Sequence, residues 1–593
     1  MPAPALLKRD WQKEHVYLVQ FPRAGCIPQC SPFAFKLETW LRLCDIPYSN
    51  VSNNFTKVSA KGQVPFIEVN GRQVADSNFI IEHLKQDFKK DPDAKLTASE
   101  KGQFTAYMAL LENHLFWCMV YHRSRDNKWM ATEAGFIKHL SGIKKTIYEK
   151  FMREKFRKKI MSSCQIQGIG RHNQLEVEKM TKDGLDSLEQ LMGNKPFFFG
   201  PTPTTLDCTA FGLLTQFQYT PMLSTEIKTH LETKCPNLTR MVNRLKDEFW
   251  PDWDEACPRP ATYLTYARYP KGDFNRTSRN PPQLLITTVL QAENIVTAEM
   301  KWDNDTSDED EGPLVVQHDP LLLPCPEDPR DRLRLIQFPR ARCCPSLSPF
   351  ALKMETWLRI ADIPYKNVSN KFRRFSRKGQ IPFVELDDVQ IADSNFIIRK
   401  LSEVFDKGST VDGWLNAEQR ALTTAYRALV EDRLFWVIAQ SRANDNLWVA
   451  SDLGFGGHFS GFKHRLFRAI GLKLFRWKAR NTCMKQGIGR MTPLEIESQA
   501  KADLDALSRQ LGDKHYFLGK RPCTLDCTAF GVLCQFLYTP LKPLPIKRHL
   551  EERCQNLVKF VHRMKDHFWP DWEEATEKLD LHTEPKRARL IKE

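Results

Sequence analysis

The sequence predicts a chain of two tandem units, each an α/β half followed by an all-α half. The first observation behind this is an internal repeat: setting Gln20 against Gln337 gives about 42 identities in the 65 positions from Gln20 to Leu84. The offset is 317 there, and it is 319 at the shared motif QGIGR, which begins at Gln167 and Gln486. Because this period is far longer than a solenoid repeat, the pattern indicates a tandem duplication of a unit of ~240 residues.

The second observation is the order of predicted elements at the start of each unit. HVYLVQ predicts a strand, and the apolar residues that recur from Phe33 to Cys44 predict a helix with one buried face. Extended segments follow, and the Asn70-Gly71 pair predicts a hairpin between two short strands before a helix in DSNFIIEHL. Strand, helix, strand, strand, hairpin strand and helix in this order form the thioredoxin-like plan.

The third observation is a change of pattern after the thioredoxin-like part. Strand signals stop near residue 98, and long helical patterns with few prolines follow. Between the units, proline pairs and the acidic run Asp303–Gly312 cannot bury enough apolar surface to fold alone. The predicted boundaries are 14–92 and 332–408 for the thioredoxin-like domains, 98–257 and 415–576 for the helical domains, 258–331 for a disordered linker, and 577–593 for a basic tail.

Composition limits the classes of function. The chain has 87 basic and 72 acidic residues and a pI near 9.0, which favours anionic partners without choosing among them. Its sixteen cysteines show no CxxC pair and no zinc-type spacing, so we expect no metal. With no apolar leader and no apolar run of ~18 residues, we expect a soluble, cytoplasmic protein with reduced thiols.

Four strings carry a resemblance to a known family. SPFAFKLETWL, GQVPFIEV, ADSNFII and TLDCTAFG resemble the failed axon connections family, a branch of the glutathione S-transferase superfamily with cadmium-responsive and metaxin-like relatives. The resemblance covers roughly residues 14–256 and 332–575. It implies two glutathione-transferase-like units, glutathione as substrate or ligand, and a role in axonogenesis. The family usually has one unit, so an intramolecular pair of units would replace its dimer.

The resemblance assigns a role to the serine before the first helix of each unit. Ser31 and Ser348 match the position that steadies the glutathione thiolate at the positive end of that helix, and are the candidate catalytic residues. Serine is also a preferred N-cap, and the proline that follows suits the first helical position. Capping alone and contact with the thiolate therefore both fit.

The resemblance also implies where the rest of glutathione would bind. A proline that the family holds in cis pairs through its preceding residue with the cysteinyl part, an acidic-serine pair holds the γ-glutamyl end, and a lysine and glutamine could hold the glycyl carboxylate. Each position also has a plain structural explanation, as a turn, a helix start or a solvated lysine. The predicted glutathione-binding residues are Lys61, Gln63, Val64, Pro65, Asp76, Ser77, Lys378, Gln380, Ile381, Pro382, Asp393 and Ser394.

A basic segment recurs in both helical domains. Residues 136–160 contain nine Lys or Arg and two Glu, and the matching 455–479 contain six and no acidic residue. Phenylalanines are interleaved with these charges, as in a helix that lies weakly on acidic lipid, although a solvated extension of the domain fits as well. No RNA-binding motif accompanies the segment, so we expect no nucleic-acid partner.

Two functions remain open at this level. One is an interaction protein that binds a glutathione-like thiol and protein partners. The other is an active glutathione transferase, in which Ser31 and Ser348 lower the thiol pKa for attack on electrophiles. The fold requires no dedicated acid, base or metal, so the sequence does not decide between them.

Overall fold

The computed structural model describes residues 6–222, 224–257, 332–407, 411–542 and 544–581. The predicted linker, residues 258–331, and residues 582–593 of the predicted basic tail lie outside the described residues. The described residues of both repeats belong to one compact unit. Within the described ranges, no helix combines the length and apolar character needed to cross a bilayer.

The first repeat begins with a four-stranded mixed sheet. Its strand order is β2-β1-β3-β4, with β1 parallel to β2 and antiparallel to β3, and β3 antiparallel to β4. One helix follows the first strand and one follows the last, which confirms the thioredoxin-like plan. The elements are Val16–Gln20 (β1), Pro32–Leu43 (α1), Tyr48–Ser52 (β2), Phe66–Val69 (β3), Arg72–Ala75 (β4) and Ser77–Phe88 (α2).

The remainder of the first repeat is helical. Two π-helical turns, Leu110–Leu115 and Tyr148–Met152, make α3 continuous with α4 and α5 continuous with α6. The helices are Ala98–Ala109 (α3), Phe116–Arg125 (α4), Ile143–Ile147 (α5), Arg153–Gln167 (α6), Gln174–Met192 (α7), Thr205–Tyr219 (α8), Glu226–Lys234 (α9), Pro236–Phe249 (α10) and Trp253–Ala256 (α11).

The second repeat has the same plan, with strand order β6-β5-β7-β8. Its strands are Leu333–Gln337 (β5), Lys366–Ser369 (β6), Phe383–Leu386 (β7) and Val389–Ala392 (β8). Its helices are Pro349–Ile360 (α12), Ser394–Val404 (α13), Ala417–Ala428 (α14), Phe435–Asn444 (α15), Gly461–Leu466 (α16), Leu472–Gln486 (α17), Pro493–Leu511 (α18), Thr524–Tyr538 (α19), Leu544–Arg553 (α20), Gln555–Phe568 (α21) and Trp572–Lys578 (α22).

The motif TLDCTAFG joins the two halves of the first repeat. Asp207 accepts hydrogen bonds from the backbone N–H and the hydroxyl of Thr204, at 2.8 and 2.7 Å, so α8 begins with a reciprocal cap. One turn and a half later, Gly212 faces α1, where a Cβ atom would lie 2.5 Å from the carbonyl oxygen of Pro32. The glycine is required because the two helices approach so closely.

The FWPDW motif closes each repeat against its first helix. The Trp250 indole N–H donates to the Thr39 hydroxyl at 3.0 Å, and the Arg42 guanidinium lies 3.8 Å from the centre of a Trp250 ring. Trp569 makes the same hydrogen bond, to Thr356 at 2.9 Å. These tryptophans therefore tie the end of the helical half to the thioredoxin-like half.

The two repeats pack against each other through their helical halves. α3 contacts α18, α7 contacts α14, and α6 contacts α17. Two matched ion pairs border this interface: Lys61 Nζ lies 2.5 Å from Glu495 Oε1, and Lys378 Nζ lies 2.7 Å from Glu176 Oε2. Each repeat thus contributes a lysine from its thioredoxin-like half and a glutamate from its helical half.

Candidate functional site

Ser31 and Ser348 are both N-caps of the helix that follows. The Ser31 hydroxyl oxygen accepts a hydrogen bond from the Ala34 N–H at 3.4 Å, and that of Ser348 accepts from the Ala351 N–H at 3.3 Å. Both side chains are half-buried. Because a hydroxyl can accept and donate at once, the cap leaves each O–H group available to a ligand sulfur.

Each cis-proline loop carries a glutamine with a buried side-chain oxygen. The peptide bonds Val64-Pro65 and Ile381-Pro382 are both cis. Within the described part of the chain, the Oε1 atoms of Gln63 and Gln380 are buried without a hydrogen-bond partner. A buried carbonyl oxygen without a partner costs roughly 1–3 kcal/mol, so an N–H group of a ligand would relieve that cost.

Each acidic-serine pair begins the second helix of its repeat. Asp393 Oδ1 accepts from the N–H groups of Asn395 and Phe396, at 3.0 and 3.3 Å, and Asp76 caps α2 in the same way. Both aspartates have positive φ, 79° for Asp76 and 77° for Asp393, which is uncommon for a residue with a Cβ atom. The strained backbone turns the carboxylate toward the helix end and leaves its second oxygen for another partner.

A buried lysine contacts the acidic-serine pair of the second repeat, and the sequence pattern did not predict it. Lys353 Nζ is 3.2 Å from the Ser394 hydroxyl, 2.7 Å from Asn395 Oδ1 and 2.6 Å from Glu431 Oε1. Burial opposes ionisation of Glu431, but Lys353 and Arg427 hold its pKa below the ordinary value. Lys353 lies one turn before the buried Trp357 on the same helical face, and this spacing is the signal that could have revealed it.

Lys61 and Lys378, predicted for the glycyl carboxylate, bind the other repeat instead. Lys378 contacts both carboxylate oxygens of Glu176, at 2.8 and 2.7 Å, and Lys61 contacts Glu495. Burial opposes ionisation of Glu176, yet the hydrogen bonds from His172 and Lys378 lower its pKa to about 2. The structure therefore does not bring these two ammonium groups together with the other predicted residues.

A cavity of about 640 Å³ lies at the predicted site of the second repeat. Of the described residues that line it, six were predicted from the sequence: Ser348, Gln380, Ile381, Pro382, Asp393 and Ser394. None of the residues predicted for the first repeat is among them, and neither is Lys378. The structure thus brings together the serine, the cis-proline loop and the acidic-serine pair around one space.

Part of the lining of this cavity is an aromatic wall. Phe372 packs against Phe338 and Phe455, with ring centres 6.0 and 5.1 Å apart, and Phe467 also lies against Phe372, at 6.3 Å. Such a wall favours an aromatic or aliphatic group over a polar one. The aromatic residues that line the cavity are Trp117, Phe338, Phe350, Phe372, Phe375, Phe435, Trp436, Phe455, Phe467 and Phe475.

The first repeat supplies part of the cavity wall. His172 Nε2 lies 3.7 Å from Asp393 Oδ2, and the His172 ring is 5.1 Å from that of Phe396. His114 Nδ1 lies 3.3 Å from Asp432 Oδ2, whose carboxyl pKa is raised by burial against the opposing effect of that histidine. In the second repeat the position of His172 is occupied by Met491, so the two repeats do not offer each other the same groups.

Family models match the chain twice. The glutathione S-transferase N-terminal domain matches residues 32–129 and 349–448, and the glutathione S-transferase C-terminal domain matches residues 181–245 and 500–564. Each repeat therefore carries one N-terminal and one C-terminal match, in the order that the thioredoxin-like and helical halves have in the structure.

Among similar proteins, failed axon connections of Drosophila melanogaster is 38% identical over 260 residues, which are 42% of this chain and 62% of that protein. The match thus spans less than two thirds of that relative. Isoprene-epoxide–glutathione S-transferase of Rhodococcus sp. (strain AD45) is 27% identical, over 38% of this chain and 94% of the relative. Metaxin-2 of Mus musculus is 25% identical, over 37% and 81%.

Solved structures match at low identity and low TM-score. A Tau class glutathione S-transferase from mango, Mangifera indica, is 15% identical with a TM-score of 0.27, over 42% of this chain and 96% of that one. A rice glutathione S-transferase in complex with glutathione is 13% identical with a TM-score of 0.28, over 43% and 96%.

Proposed function

Since the chain is a tandem protein of the glutathione S-transferase family and is similar to failed axon connections, we propose that its second repeat binds a glutathione-type thiol carrying an apolar group. The observation that carries this proposal is the cavity that Ser348, the cis-proline loop and Asp393 share with an aromatic wall. The proposed role is that of a cytoplasmic interaction protein. Its protein partners would bind it differently with and without the thiol ligand.

The polar side of the cavity supports an amino-acid-like end for the ligand. The second oxygen of Asp393, which also lies 3.7 Å from His172 Nε2, would bind the γ-glutamyl ammonium group, while the hydroxyl and backbone N–H of Ser394 would bind the carboxylate. Lys353, which is paired with Glu431, donates to the Ser394 hydroxyl oxygen and so leaves the Ser394 O–H free to donate to the ligand. The unpartnered Gln380 Oε1 would accept a hydrogen bond from a peptide N–H of the ligand.

The thiol and its substituent would lie between Ser348 and the aromatic wall. The Ser348 hydroxyl and the N-terminal end of α12 would stabilise a thiolate or contact a thioether there. An attached apolar group would then bury its surface against phenylalanines such as Phe372 and Phe467, gaining about 0.8 kcal/mol for each buried CH₂ group.

Calorimetric titration of the full chain with glutathione and with S-hexylglutathione tests this proposal. We expect S-hexylglutathione to bind at least about tenfold more tightly, because the hexyl chain has the aromatic wall to bury against. Phe467→Ala should remove much of this difference, while Tyr148→Ala, the matched change in the first repeat, should leave it intact. Equal affinities for the two ligands, or no binding of either, would contradict the proposal.

The same protein tests the alternative of an active transferase. With glutathione and 1-chloro-2,4-dinitrobenzene, the binding proposal predicts a rate equal to the uncatalysed reaction. Turnover that Ser348→Ala abolishes would favour the transferase instead, since this change removes the hydroxyl that would stabilise the thiolate.

The surface formed by the basic helices, apart from the cavity, supports a second proposed function because its large apolar side chains are exposed. The basic segments form the helices α5, α6, α16 and α17, and α6 packs beside α17, with Lys485 Nζ 3.0 Å from the Ser162 hydroxyl. Large apolar side chains on this surface are exposed: Ile143 by 80%, Phe151 by 68%, Phe462 by 77% and Trp477 by 68%. We infer that this lipid-facing surface, formed by Ile143–Ile160 and Gly461–Ala479, rests on an acidic bilayer.

Sedimentation with phosphatidylserine-containing vesicles tests the lipid-facing surface. We expect binding that 1 M salt largely removes, because the Debye length is then about 3 Å. Phe462→Ser with Trp477→Ser should weaken it by at least about tenfold, since two exposed apolar side chains would no longer insert. The control is Leu175→Ser with Leu494→Ser, which changes leucines that are equally exposed but lie at the start of α7 and α18. Equal losses from both pairs would refute a role for this surface.

A further inference from the structure

Three side chains with metal-ligand chemistry meet where α7, α9 and α10 come together. His230 Nε2 lies 2.6 Å from Asp186 Oδ1, and Cys235 Sγ lies 3.8 Å from the same oxygen. All three ligand atoms are within 4.8 Å of one another. No local pattern predicts this triad, because Asp186 is 44 residues before His230 and only the packing of α9 on α7 brings them together.

The second repeat assembles the same triad from Asp505, His549 and Cys554. His549 Nε2 is 2.7 Å and Cys554 Sγ is 3.6 Å from Asp505 Oδ1. Neighbouring positions have changed between the repeats: Ser508 stands where the first repeat has Glu189. The three ligand types are therefore retained together in both copies while a residue beside them is not.

We propose that each Asp-His-Cys triad binds a thiophilic divalent cation of the zinc type, with water as the fourth ligand. A carboxylate, an imidazole and a thiolate suit zinc, whose bonds are about 2.0 Å to oxygen and nitrogen and about 2.3 Å to sulfur. Tetrahedral angles at those lengths separate oxygen from sulfur by roughly 3.5 Å, close to the spacing in the structure. The aspartate-histidine distance must open by about 0.6 Å, to the spacing of two tetrahedral ligands with bonds of about 2.0 Å.

The surroundings suit an open site rather than a closed one. The Asp186 side chain is 52% exposed and the His230 side chain 17%, whereas Cys235 is buried. An incoming ion therefore meets the carboxylate first, and solvent can supply the fourth ligand. The thiol binds as thiolate, so its proton passes to solvent when the ion binds.

The purely structural alternative is a hydrogen-bonded clamp. In that case the aspartate accepts from the histidine and from the thiol, and the three side chains only fix three helices to one another. The two accounts differ in one property that can be measured directly, the presence of a metal–thiolate bond.

Titration of the full chain with Co²⁺ in thiol-free buffer tests the proposal. We expect the near-ultraviolet charge-transfer band of a cobalt–thiolate bond and the intense visible bands of tetrahedral cobalt, saturating at about two equivalents, one per triad. Zn²⁺ should displace the cobalt and bleach both sets of bands. Cys235→Ala should halve the signal, and Cys235→Ala with Cys554→Ala should abolish it.

Two further variants keep the test decisive. Cys164→Ala with Cys483→Ala removes a matched pair of buried thiols outside the triads and should leave the signal intact. His230→Gln with His549→Gln keeps a hydrogen-bond donor beside the aspartate but removes the nitrogen ligand, so cobalt binding should weaken at least tenfold. This pair tests the proposal independently of whether the cysteine variants fold. Absence of the charge-transfer band in the wild type, or its survival without Cys235 and Cys554, would overturn the proposal.

Discussion

Glu355→Gln is expected to lower the free energy of unfolding by about 3–5 kcal/mol, the cost of leaving a buried charge without its partner. Glu355 is fully buried and accepts two hydrogen bonds from Arg340, both of 2.7 Å, and one each from Gln337 and Asn367, both of 2.9 Å. Burial opposes its ionisation, but Arg340 and Arg359 hold its pKa well below the ordinary value. Glutamine keeps the shape and removes the charge.

Glu38→Gln in the first repeat is the matched control. Glu38 accepts from Arg23 at 2.8 and 2.6 Å, but the Arg23 side chain is 28% exposed, whereas that of Arg340 is fully buried. Water can solvate Arg23 when its partner is neutral, so we expect a clearly smaller loss. Urea unfolding followed by circular dichroism measures both. Equal losses would show that burial of the arginine does not set the cost.

The ion pair between Lys378 and Glu176, at the contact between the repeats, gives a pH dependence. A carboxyl group whose pKa is lower in the folded state stabilises the fold above its unfolded pKa, and that contribution is lost as pH falls through the folded pKa. Glu176 has a folded pKa of about 2 against an ordinary 4.5, so the Lys378–Glu176 contact should weaken between about pH 4.5 and pH 2.

The sequence predicted the repeats and their elements well because these depend on local patterns. Proline and glycine signals ended helices and made turns, apolar spacing marked the buried face of α1, and Ser31 and Asp76 cap helices where the family motif placed them. The apolar pattern did not predict that charged residues of α1 are buried as well. Lys36 and Glu38 are buried together with Trp40, although an apolar pattern treats both as solvent-facing.

Two further features that were missed depend on contacts between the repeats. Lys378 meets Glu176 across 202 residues of sequence, so a lysine that matched a ligand position was paired elsewhere. His172 lies beside Asp393 only because α7 packs against the second repeat. No local sequence pattern predicts which residues meet where two folded units pack together. The difference between His172 and Met491 affects the cavity only because of that packing.

The second large effect is expected at Asp393. Asp393→Asn should weaken S-hexylglutathione binding by about 10- to 100-fold, because a charged hydrogen bond to the ligand ammonium contributes about 1.5–3 kcal/mol. Asparagine is also a good N-cap, so α13 should form as before. Asp76→Asn makes the same change at the matched position of the first repeat, whose residue does not line the cavity.

Calorimetric titration of these three proteins is the most direct measurement of the central claim, that one glutathione-type ligand binds in the second repeat. The account predicts about one equivalent per chain, a 10- to 100-fold weaker isotherm for Asp393→Asn, and an unchanged isotherm for Asp76→Asn. Two equivalents in the wild type, or an affinity that falls with Asp76→Asn and not with Asp393→Asn, would contradict it.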